Sequence, residues 1–405
     1  MSVLFKDGLV FQGKKILPSG FCVLVEGNVI KRVAPHAEFV GFDGEVISLE
    51  GKTLLPGLID CHVHLVFSGQ SDLQATVSTL KQHDLVLRSL YNAQQILEGG
   101  VTSIRDCAGH DYIEVAVRDA CNAGLFKGPT IKVAGKAICM TGGHIHFMAR
   151  QADGPQEVIK AVREQVLHGV DLIKLMATGG VVTEGVNPED SHFDDQELLA
   201  GVKEAHRFQK TVACHAQGAD GIRNAVLAGV DSIEHGIFLN DDSMNEMVKR
   251  GTFLVPTICA LKAMLDGDEI PDYMREKCAR LEDRQKEAII SFYKAGGKLV
   301  MGTDSGTPGN HHGDNAQELQ FMVDMGISSE DALIAATFNG ADLMRLKDRG
   351  SIQEGYKADL LVVDGNPFND ISKASDKNNH QIVMKDGGII VDRRTSIAHK
   401  ISLAA

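Results

Sequence analysis

Short apolar runs alternate with helical patterns through the middle of this 405-residue chain. Each run is typical of a β-strand, ends near Gly, Asp or His, and precedes a stretch whose apolar residues recur every three and four positions. Residues 156–169, 195–210 and 221–229 are clear examples of the predicted helices. The predicted strands are residues 58–64, 101–106, 130–134, 171–177, 211–216, 231–235, 252–257 and 298–304. Eight strands alternating with helices favour an α/β fold, a (β/α)8 barrel of the TIM type, over an open sheet.

The two ends of the chain carry a different pattern, with short β-type runs separated by turns. Residues 358–392 include VMKDGGIIV, and an Asp-Gly pair between apolar runs is typical of a hairpin. We therefore expect a small β-sandwich domain built from residues 1–55 plus 351–405, beside a catalytic barrel of residues 56–350. Two unrelated terminal hairpins are the alternative.

Two long interruptions of the strand pattern, residues 65–98 and 258–297, are rich in helical patterns. Active sites of parallel barrels lie where strands end and loops begin. We expect these insertions to cover or line the mouth of the barrel.

The composition indicates an ordinary core and an acidic surface. The apolar fraction is 43%, and 41 basic against 54 acidic residues give a net charge of −13. Because no Lys/Arg-rich run is present, nothing in the charge pattern indicates nucleic acid or an anionic membrane as a partner. A small-molecule substrate is expected instead, and a closed homo-oligomer is a reasonable default.

The location of the protein is inferred from segments that the sequence lacks. The start has no long apolar core like that of a secretory signal, and no stretch approaches the roughly 18 apolar residues that span a bilayer. Eight cysteines without a CxxC pair indicate buried or incidental thiols rather than a disulfide framework. A cytoplasmic location is the natural expectation.

Six candidate ligands for metal ions lie at the carboxyl ends of predicted strands. They are His62, His64, Lys174, His215, His235 and Asp304. Alternate side chains of a strand share a face, so the HxH pair should point into the barrel together and hold one ion. A lone buried histidine is more often hydrogen-bonded than metal-bound, but two at strand ends that face an HxH pair favour ligation. Neutral imidazole suits zinc, while manganese or cobalt would also fit the set.

Asp304, in GTDSG, has two interpretations. One carboxylate oxygen can bind a metal while the other accepts a proton from water, which would make Asp304 both ligand and general base. Alternatively, Asp304 caps the next helix or braces a turn. The histidines upstream favour the catalytic role.

Lys174 differs from the other candidates because an ammonium has no lone pair for a metal and is repelled by cations. It fits the site only without its charge, and carboxylation by CO2 would supply a bridging carbamate. Such a bridge would hold two ions about 3.5–4 Å apart, the separation suited to activating water. A Lys that contacts a loop is the alternative.

These motifs resemble those of the amidohydrolase superfamily, and within it the branch of metal-dependent Xaa-Pro dipeptidases (prolidases), carboxypeptidase-like enzymes and relatives of imidazolonepropionase. Nearly the whole chain is covered. The matching segments are PGLIDCHVH (56–64), MTGGHIH (140–146), IKLMATGG (173–180), CHAQG (214–218), IEHG (233–236), GTDSG (302–306), HGDNAQEL (312–319) and KADLLVVDGNP (357–367).

The resemblance implies a role for each candidate ligand. His62, His64 and Asp304 would hold the buried metal, His215 and His235 the more exposed one, and carboxylated Lys174 would bridge them. A bridging hydroxide would attack the amide carbonyl, and Asp304 would pass its proton to the leaving amine. Lys174 separates the chain from one-metal members of the superfamily such as imidazolonepropionase.

Other polar residues near these motifs have less certain roles. By resemblance to dipeptidases, His144 would bind the oxyanion or a substrate carboxylate; a loop histidine that fixes local structure is the alternative. His146 departs from the familiar GGHG form. Arg105 would either meet substrate or pair with Asp106 or another acid. The roles of His311 and His312 are open.

The expected reaction is hydrolysis of a dipeptide or an N-acyl amino acid, with Pro, Arg or Lys, or an apolar residue released. A cyclic-amide hydrolase of the hydantoinase or imidazolonepropionase kind is one alternative, and hydrolysis of an aromatic amide or an amino-acid-bearing toxin is another. A non-catalytic binding protein on the same fold is the alternative from a different class. Such relatives usually lose ligands, whereas the full set is present here.

Overall fold

The computed structural model describes residues 2–394. Its first six strands supply all four strands of one sheet and two strands of a five-stranded sheet. These strands are β1 (Ser2–Lys6), β2 (Leu9–Val10), β3 (Phe21–Glu26), β4 (Val29–Pro35), β5 (Glu45–Ser48) and β6 (Lys52–Pro56). One sheet has the order β4-β3-β1-β5. In it β1 is antiparallel to β3 and parallel to β5, while β3 and β4 form a hairpin.

The central strands are all parallel and form two sheets, β7-β8-β9 and β11-β10-β12-β13-β14-β15. They are β7 (Leu58–Val63), β8 (Val101–Asp106), β9 (Thr130–Val133), β10 (Ile138–Cys139), β11 (Arg150–Gln151), β12 (Leu172–Met176), β13 (Thr211–Ala216), β14 (Ser232–His235) and β15 (Phe253–Val255). Seven of the eight predicted strands are confirmed by these elements. The nearly continuous burial of β7, β8 and β12 is typical of strands covered on both faces.

The prediction of a strand at 298–304 is wrong. Within this segment only Leu299 makes an isolated bridge, to Leu254, and Ser305 directly after it makes another, to Val63. Its backbone is turned out of strand geometry at Asp304, where φ is +58°. The segment still lies between β15 and β7, because Val300 N donates to Leu254 O and Cys61 N donates to Met301 O.

The last three strands join a sheet with strands from the start of the chain. They are β16 (Leu360–Asp364), β17 (His380–Lys385) and β18 (Gly388–Asp392), in a sheet of order β18-β17-β16-β6-β2. The predicted KDGG hairpin is confirmed, with positive φ at Asp386 and Gly387 as this tight turn requires. The division into a terminal β-sandwich domain and a barrel stays a prediction, and Met1 and residues 395–405 lie outside the described residues.

The helices follow the strands and end at recognisable signals. They are α1 (Leu73–Thr79), α2 (Gln82–Glu98), α3 (Ile113–Asn122), α4 (Gly154–Leu167), α5 (Asp195–Arg207), α6 (Ala219–Ala228), α7 (Asp241–Arg250), α8 (Ile258–Asp266), α9 (Asp272–Lys294), α10 (Gln317–Met325), α11 (Ser329–Ala335), α12 (Phe338–Leu343) and α13 (Ser372–Ser375). A capping box of Asp194 and Glu197 starts α5, and Gly229 in left-handed conformation ends α6. Within residues 2–394, no helix combines the length and the apolarity needed to cross a bilayer.

Both predicted insertions are helical, as expected. The first carries α1 and α2, and the second carries α8 and α9. Leu261 and Met264 of α8 and Met274 of α9 share a buried apolar cluster with Val181 and Ile237, which follow β12 and β14. The second insertion therefore packs onto the loops at the carboxyl ends of the central strands.

Candidate metal centre

The clearest ligand cluster consists of His62, His64 and Asp304, whose ligand atoms all lie within 4.8 Å of one another. Nε2 of His64 is 3.0 Å and Nε2 of His62 is 3.5 Å from Oδ1 of Asp304. All three side chains are buried. Cys61, between Asp60 and His62 in β7, faces the other way and contacts the backbone of Gly340 in α12. Strand alternation therefore turns the HxH pair toward Asp304, as the sequence predicts.

Both histidines of this pair are held through Nδ1. Nδ1 of His62 lies 2.8 Å from a carboxylate oxygen of Glu234, and Nδ1 of His64 lies 2.9 Å from the carbonyl of Ala108. These contacts leave Nε2 as the nitrogen that faces Asp304, an arrangement typical of histidines that bind metals. Burial, together with the charge of Lys174, holds the pKa of His62 well below its usual range.

Asp304 changes the ionisation of its other neighbour. Burial by itself would lower the pKa of His64, but the hydrogen bond and charge of Asp304 outweigh burial and raise that pKa. A cation placed among these three residues would replace the proton that Asp304 favours on His64.

Lys174 of β12, His215 of β13 and His235 of β14 face the same cavity as the first three residues. Nε2 of His215 is 2.8 Å from the carbonyl of Gly179, and Nδ1 of His235 is 2.7 Å from the hydroxyl of Thr257. Each ring therefore keeps one nitrogen free of these contacts. The ring centroids of His215 and His235 are 4.6 Å apart, and those of His62 and His235 are 5.4 Å apart.

The Nζ atom of Lys174 is buried and has no hydrogen-bond partner among residues 2–394. Burial, together with the charge of Lys174, lowers the pKa of nearby His215 to about 3. An unpaired buried ammonium is costly. The surroundings of Lys174 therefore fit a modified, uncharged or anionic side chain better than a free ammonium.

Two ligand candidates owe their orientation to unusual backbone geometry. His235 and Asp304 both have positive φ, of 70° and 58°. Such values are uncommon for residues other than glycine and mark functional strain. At His235 the turn breaks strand alternation, and neighbouring Glu234 also reaches the site by contacting His62.

Glu234 was not predicted from the sequence, since alternation would place it opposite His235. Arg105 donates from Nη2 to both of its carboxylate oxygens, at 2.8 and 2.9 Å. Of the alternatives for Arg105, pairing with an acid is therefore observed, and the acid is Glu234 rather than Asp106. The position of Glu234 directly before a candidate ligand histidine, in IEHG, was a signal for such a supporting role.

A second group, of His62, Cys107 and Glu234, also places ligand-type atoms close together. Burial raises the pKa of the Cys107 thiol to about 12. Within this group Nδ1 of His62 is bonded to Glu234, and Sγ of Cys107 lies 3.5 Å from the carbonyl of Cys61.

Asp60 is another residue that the sequence analysis missed. It accepts hydrogen bonds from the hydroxyl of Thr303 at 2.6 Å, from the side chain of Asn315 at 2.7 Å and from the backbone N–H of His62 at 3.0 Å. This network joins β7 to the segment that carries Asp304. Its position two residues before His62, on the same strand face, was the available signal.

His144 lies beside the second set of candidates. It is buried, its ring centroid is 4.5 Å from that of His215, and its Nδ1 has no partner among the described residues. A Cβ at Gly180 would lie 2.4 Å from the His144 ring, so this glycine makes room for the histidine. Burial and neighbouring His215 lower the pKa of His144 well below its usual range. A neutral imidazole here can hydrogen-bond a substrate oxygen.

The remaining histidines near the motifs contact loops. His146 bonds the carbonyl of Gly143, and exposed His311 bonds the carbonyl of Ser68. Buried His312 joins the hydroxyl of Ser305 to the carbonyl of Phe67. These three side chains are not among the described residues that line the cavity, and their hydrogen bonds are to loops.

The six candidate ligands and His144 line one cavity of about 660 Å³. The cavity lies at the carboxyl ends of the central parallel strands, beneath α8. A concave pocket with converging polar groups is typical of a small-molecule site.

Comparisons with known proteins agree with this geometry. Residues 53–390 match the model of the amidohydrolase family. The chain is 33% identical over 351 residues to ochratoxinase from Aspergillus niger, a match that covers 78% of this chain and 71% of that protein. The solved structure of a Xaa-Pro dipeptidase with methionine in its active site is 33% identical, with a TM-score of 0.86 over 96% of this chain and 99% of the other. A prolidase complexed with N-methylphosphonate-L-proline is 28% identical, with a TM-score of 0.88 over 97% and 100% of the two chains.

The chain therefore belongs to the amidohydrolase family. It is a hydrolase that acts on amide bonds, and its α/β fold is consistent with the TIM-barrel superfamily. The family acts on small molecules and is typically metal-dependent. The predicted resemblance to amidohydrolases and to the prolidase branch is confirmed.

Proposed function

We propose that this chain hydrolyses the amide bond of a dipeptide or an N-acyl amino acid at a binuclear metal centre. The observation that carries the proposal is buried Lys174, whose Nζ has no hydrogen-bond partner among the described residues and which lines the same cavity as both sets of histidines. One ion would be held by His62, His64 and Asp304, and the other by His215 and His235. Carboxylated Lys174 would contribute one oxygen to each ion.

The donor set fits zinc. Four imidazoles and carboxyl-type oxygens are good ligands for this ion, and manganese or cobalt can use the same atoms. The contacts of His62 with Glu234 and of His64 with Ala108 support ligation through Nε2. Carboxylation removes the positive charge that would oppose binding of cations.

Two divalent ions in this centre would activate water and polarise the amide carbonyl. The residues around them would then transfer the proton and stabilise the developing negative charge. Asp304 would take the proton of the attacking water and deliver it to the leaving nitrogen, which prevents expulsion of an unstable amide anion. His144 would donate a hydrogen bond to the oxyanion or to the substrate carboxylate.

The substrate proposal is supported by the proteins that the chain resembles. These include a Xaa-Pro dipeptidase, a prolidase and ochratoxinase. The substrates that we propose share an amide bond that joins an acyl group to an amino acid.

We also propose that the central strands close into a barrel, with residues 298–305 in place of a regular eighth strand. Backbone bonds from Val300 to Leu254 and from Cys61 to Met301 support this closure. The sheet that combines β6 with β16 and β2 supports a small domain built from both termini.

Metal analysis together with one substitution tests the proposed centre. Purified wild-type protein should contain two divalent ions per chain, and protein grown with 13C-bicarbonate should show a carbamate carbon that Lys174→Ala lacks. Asp304→Asn should keep the wild-type circular dichroism spectrum and lose at least about a thousandfold in kcat for N-acyl amino acids and dipeptides. One ion per chain without a carbamate would disprove the bridge, and retained turnover in Asp304→Asn would disprove the proton carrier.

A further inference from the structure

The wall of the cavity beyond the ligand candidates is apolar. It includes Phe67, Ile145, Met148, Ile237, Leu261 and Met264. These side chains come from the loops after β7, β10 and β14 and from α8. Ile237, Leu261 and Met264 belong to the cluster that packs α8 and α9 onto the loops, and the other three belong to the central core. A rigid apolar wall favours an apolar substrate group.

Fixed charges in this cavity are confined to the centre itself. Among the lining residues that the structure describes, Lys174 and Asp304 are the only Lys, Arg, Asp or Glu. Both belong to the proposed metal centre, so neither is available to pair with an ammonium group of the substrate. The substrate carboxylate, which a dipeptide and an N-acyl amino acid share, would face His144 as proposed above.

The neutral polar groups on the wall are mostly engaged. Gln285 donates to the carbonyl of Pro256, and Thr307 donates to the carbonyl of Asp304. Gln217 differs, because its buried Oε1 has no hydrogen-bond partner among residues 2–394. This oxygen can accept a hydrogen bond from an N–H or O–H group.

A free dipeptide would place a charge where this cavity has no partner for it. Its α-ammonium lies two bonds from the carbonyl carbon that is attacked. It would therefore be buried beside the cations of the centre and against the apolar wall, without a carboxylate to pair with. Burying an unpaired charge in this way is strongly unfavourable.

Resting on the amide hydrolysis proposed above, we propose that the substrate is an N-acyl amino acid whose acyl group is apolar and uncharged, rather than a free dipeptide. The acyl group lies against the Phe67–Met264 wall, and Gln217 accepts a hydrogen bond from the substrate. Water is consumed, the C–N bond breaks, and the products are the carboxylic acid and the free amino acid.

Acids do occur nearby, but outside this cavity. Asp72 and Glu184 line a neighbouring cavity of about 790 Å³, which shares Leu73 and Val182 with the first. Val182 is half-buried at this boundary. An acid introduced at Val182 would supply the missing partner for an ammonium group.

A matched substrate pair tests the inference on the metal-replete enzyme. Leu-Phe and 4-methylpentanoyl-Phe differ only in the α-ammonium group of the former. We expect kcat/KM for 4-methylpentanoyl-Phe to exceed that for Leu-Phe by more than about tenfold. Equal values, or a preference for Leu-Phe, would overturn the inference while leaving amide hydrolysis intact. Absence of turnover with both substrates and with a wider amide panel would instead overturn the proposed function.

Two substitutions of Val182 introduce side chains of nearly equal size, so a comparison of them separates the effect of charge from the effect of shape. Val182→Asp should shift the kcat/KM ratio of the pair toward Leu-Phe, whereas Val182→Asn should not. An equal shift in both variants would contradict the charge argument. The double variant Asp72→Asn/Glu184→Gln should leave the wild-type ratio unchanged, and a selective loss of Leu-Phe turnover in it would show that the ammonium binds in the outer cavity.

Discussion

At the scale of single residues, Glu234 shows how a side chain outside the set of candidate ligands can control the orientation of a ligand. Its carboxylate accepts from Nδ1 of His62 and is fixed by Arg105 and by the hydroxyl of Ser232. All four side chains are buried. The orientation and tautomer of His62 therefore depend on a carboxylate that does not itself face Asp304.

Replacing this carboxylate should weaken metal binding. In Glu234→Gln, the amide accepts more weakly from His62 and leaves Arg105 without a counter-charge. We expect metal affinity to fall by about 10–100-fold, measured by competition with a chelator. Glu287→Gln, at an exposed position on α9, is the matched control and should bind metal like wild type. Unchanged affinity in a folded Glu234→Gln protein would contradict the supporting role.

Single residues also show which parts of the site the sequence could predict. The HxH pair was predictable because alternation in β7 needs only local geometry. The contact between Glu234 and His62 was not, because it depends on positive φ at His235 and on two strands that are distant in sequence. Lys174 was predictable as a candidate, but its lack of a partner became visible only in the folded chain.

At the scale of elements, α9 holds a loop that lines the cavity. Nζ of Lys277 lies 2.7 Å from the carbonyl of Val186, 2.9 Å from that of Thr183 and 3.2 Å from that of Gly180. The same loop contributes Val181 and Val182 to the cavity wall. One ammonium group thus bonds several carbonyls of this loop and fixes its backbone.

Removal of this ammonium should loosen the cavity wall without disturbing the metal centre. In Lys277→Met we expect KM for the preferred amide to rise on the order of tenfold, since hydrogen bonds to a charged group are lost. Metal content should stay at the wild-type value. Lys286→Met, at an exposed position on the same helix, should leave KM unchanged. A fall in kcat and metal content with constant KM would argue against a loop-positioning role.

The start of α8 depends on an acid from another helix. Glu318 of α10 accepts from the backbone N–H groups of Ile258 and Cys259, both at 2.8 Å. Burial raises the pKa of Glu318 to about 8, above its ordinary value of 4.5. The folded state therefore keeps a proton that the unfolded state releases, and the stabilisation present below pH 4.5 is lost as the pH rises to about 8.

Glu318→Gln should remove this pH dependence. Between pH 5 and 8, the free energy of unfolding of the variant should improve relative to wild type, by at most about 1.4 kcal/mol per pH unit. Urea titrations of both proteins at equal metal content measure this difference. A difference that does not vary with pH would show that Glu318 is ionised in the folded protein throughout this range.

At the scale of the whole molecule, the two chain ends are joined to the central strands through β6 and β16. These strands pair antiparallel, with Leu361 opposite Leu55. Both residues are fully buried and belong to the same apolar cluster as Leu97 and Val101, which flank the start of β8. The terminal sheet and the central fold therefore share part of their core.

This shared core predicts one cooperative unfolding transition. Leu361→Ala should lower the free energy of unfolding by about 2–5 kcal/mol and shift the whole transition, because it leaves a cavity between the two parts. Leu125→Ala, at a position that is 83% exposed, should have little effect. Calorimetry that resolved two transitions, with only one shifted, would indicate independently folding parts.

The sequence by itself determined the parallel strands, the helical insertions, the hairpins at both ends and the set of ligand candidates. Each depends on local periodicity, turn chemistry or residue type, which a linear pattern records. Tertiary structure alone decided that 298–304 is not a regular strand and that Arg105 pairs with Glu234. It also decided that the described residues of the cavity wall include no Lys, Arg, Asp or Glu outside the proposed metal centre. These features arise from contacts between residues far apart in the chain, where packing and burial rather than local preference set the geometry.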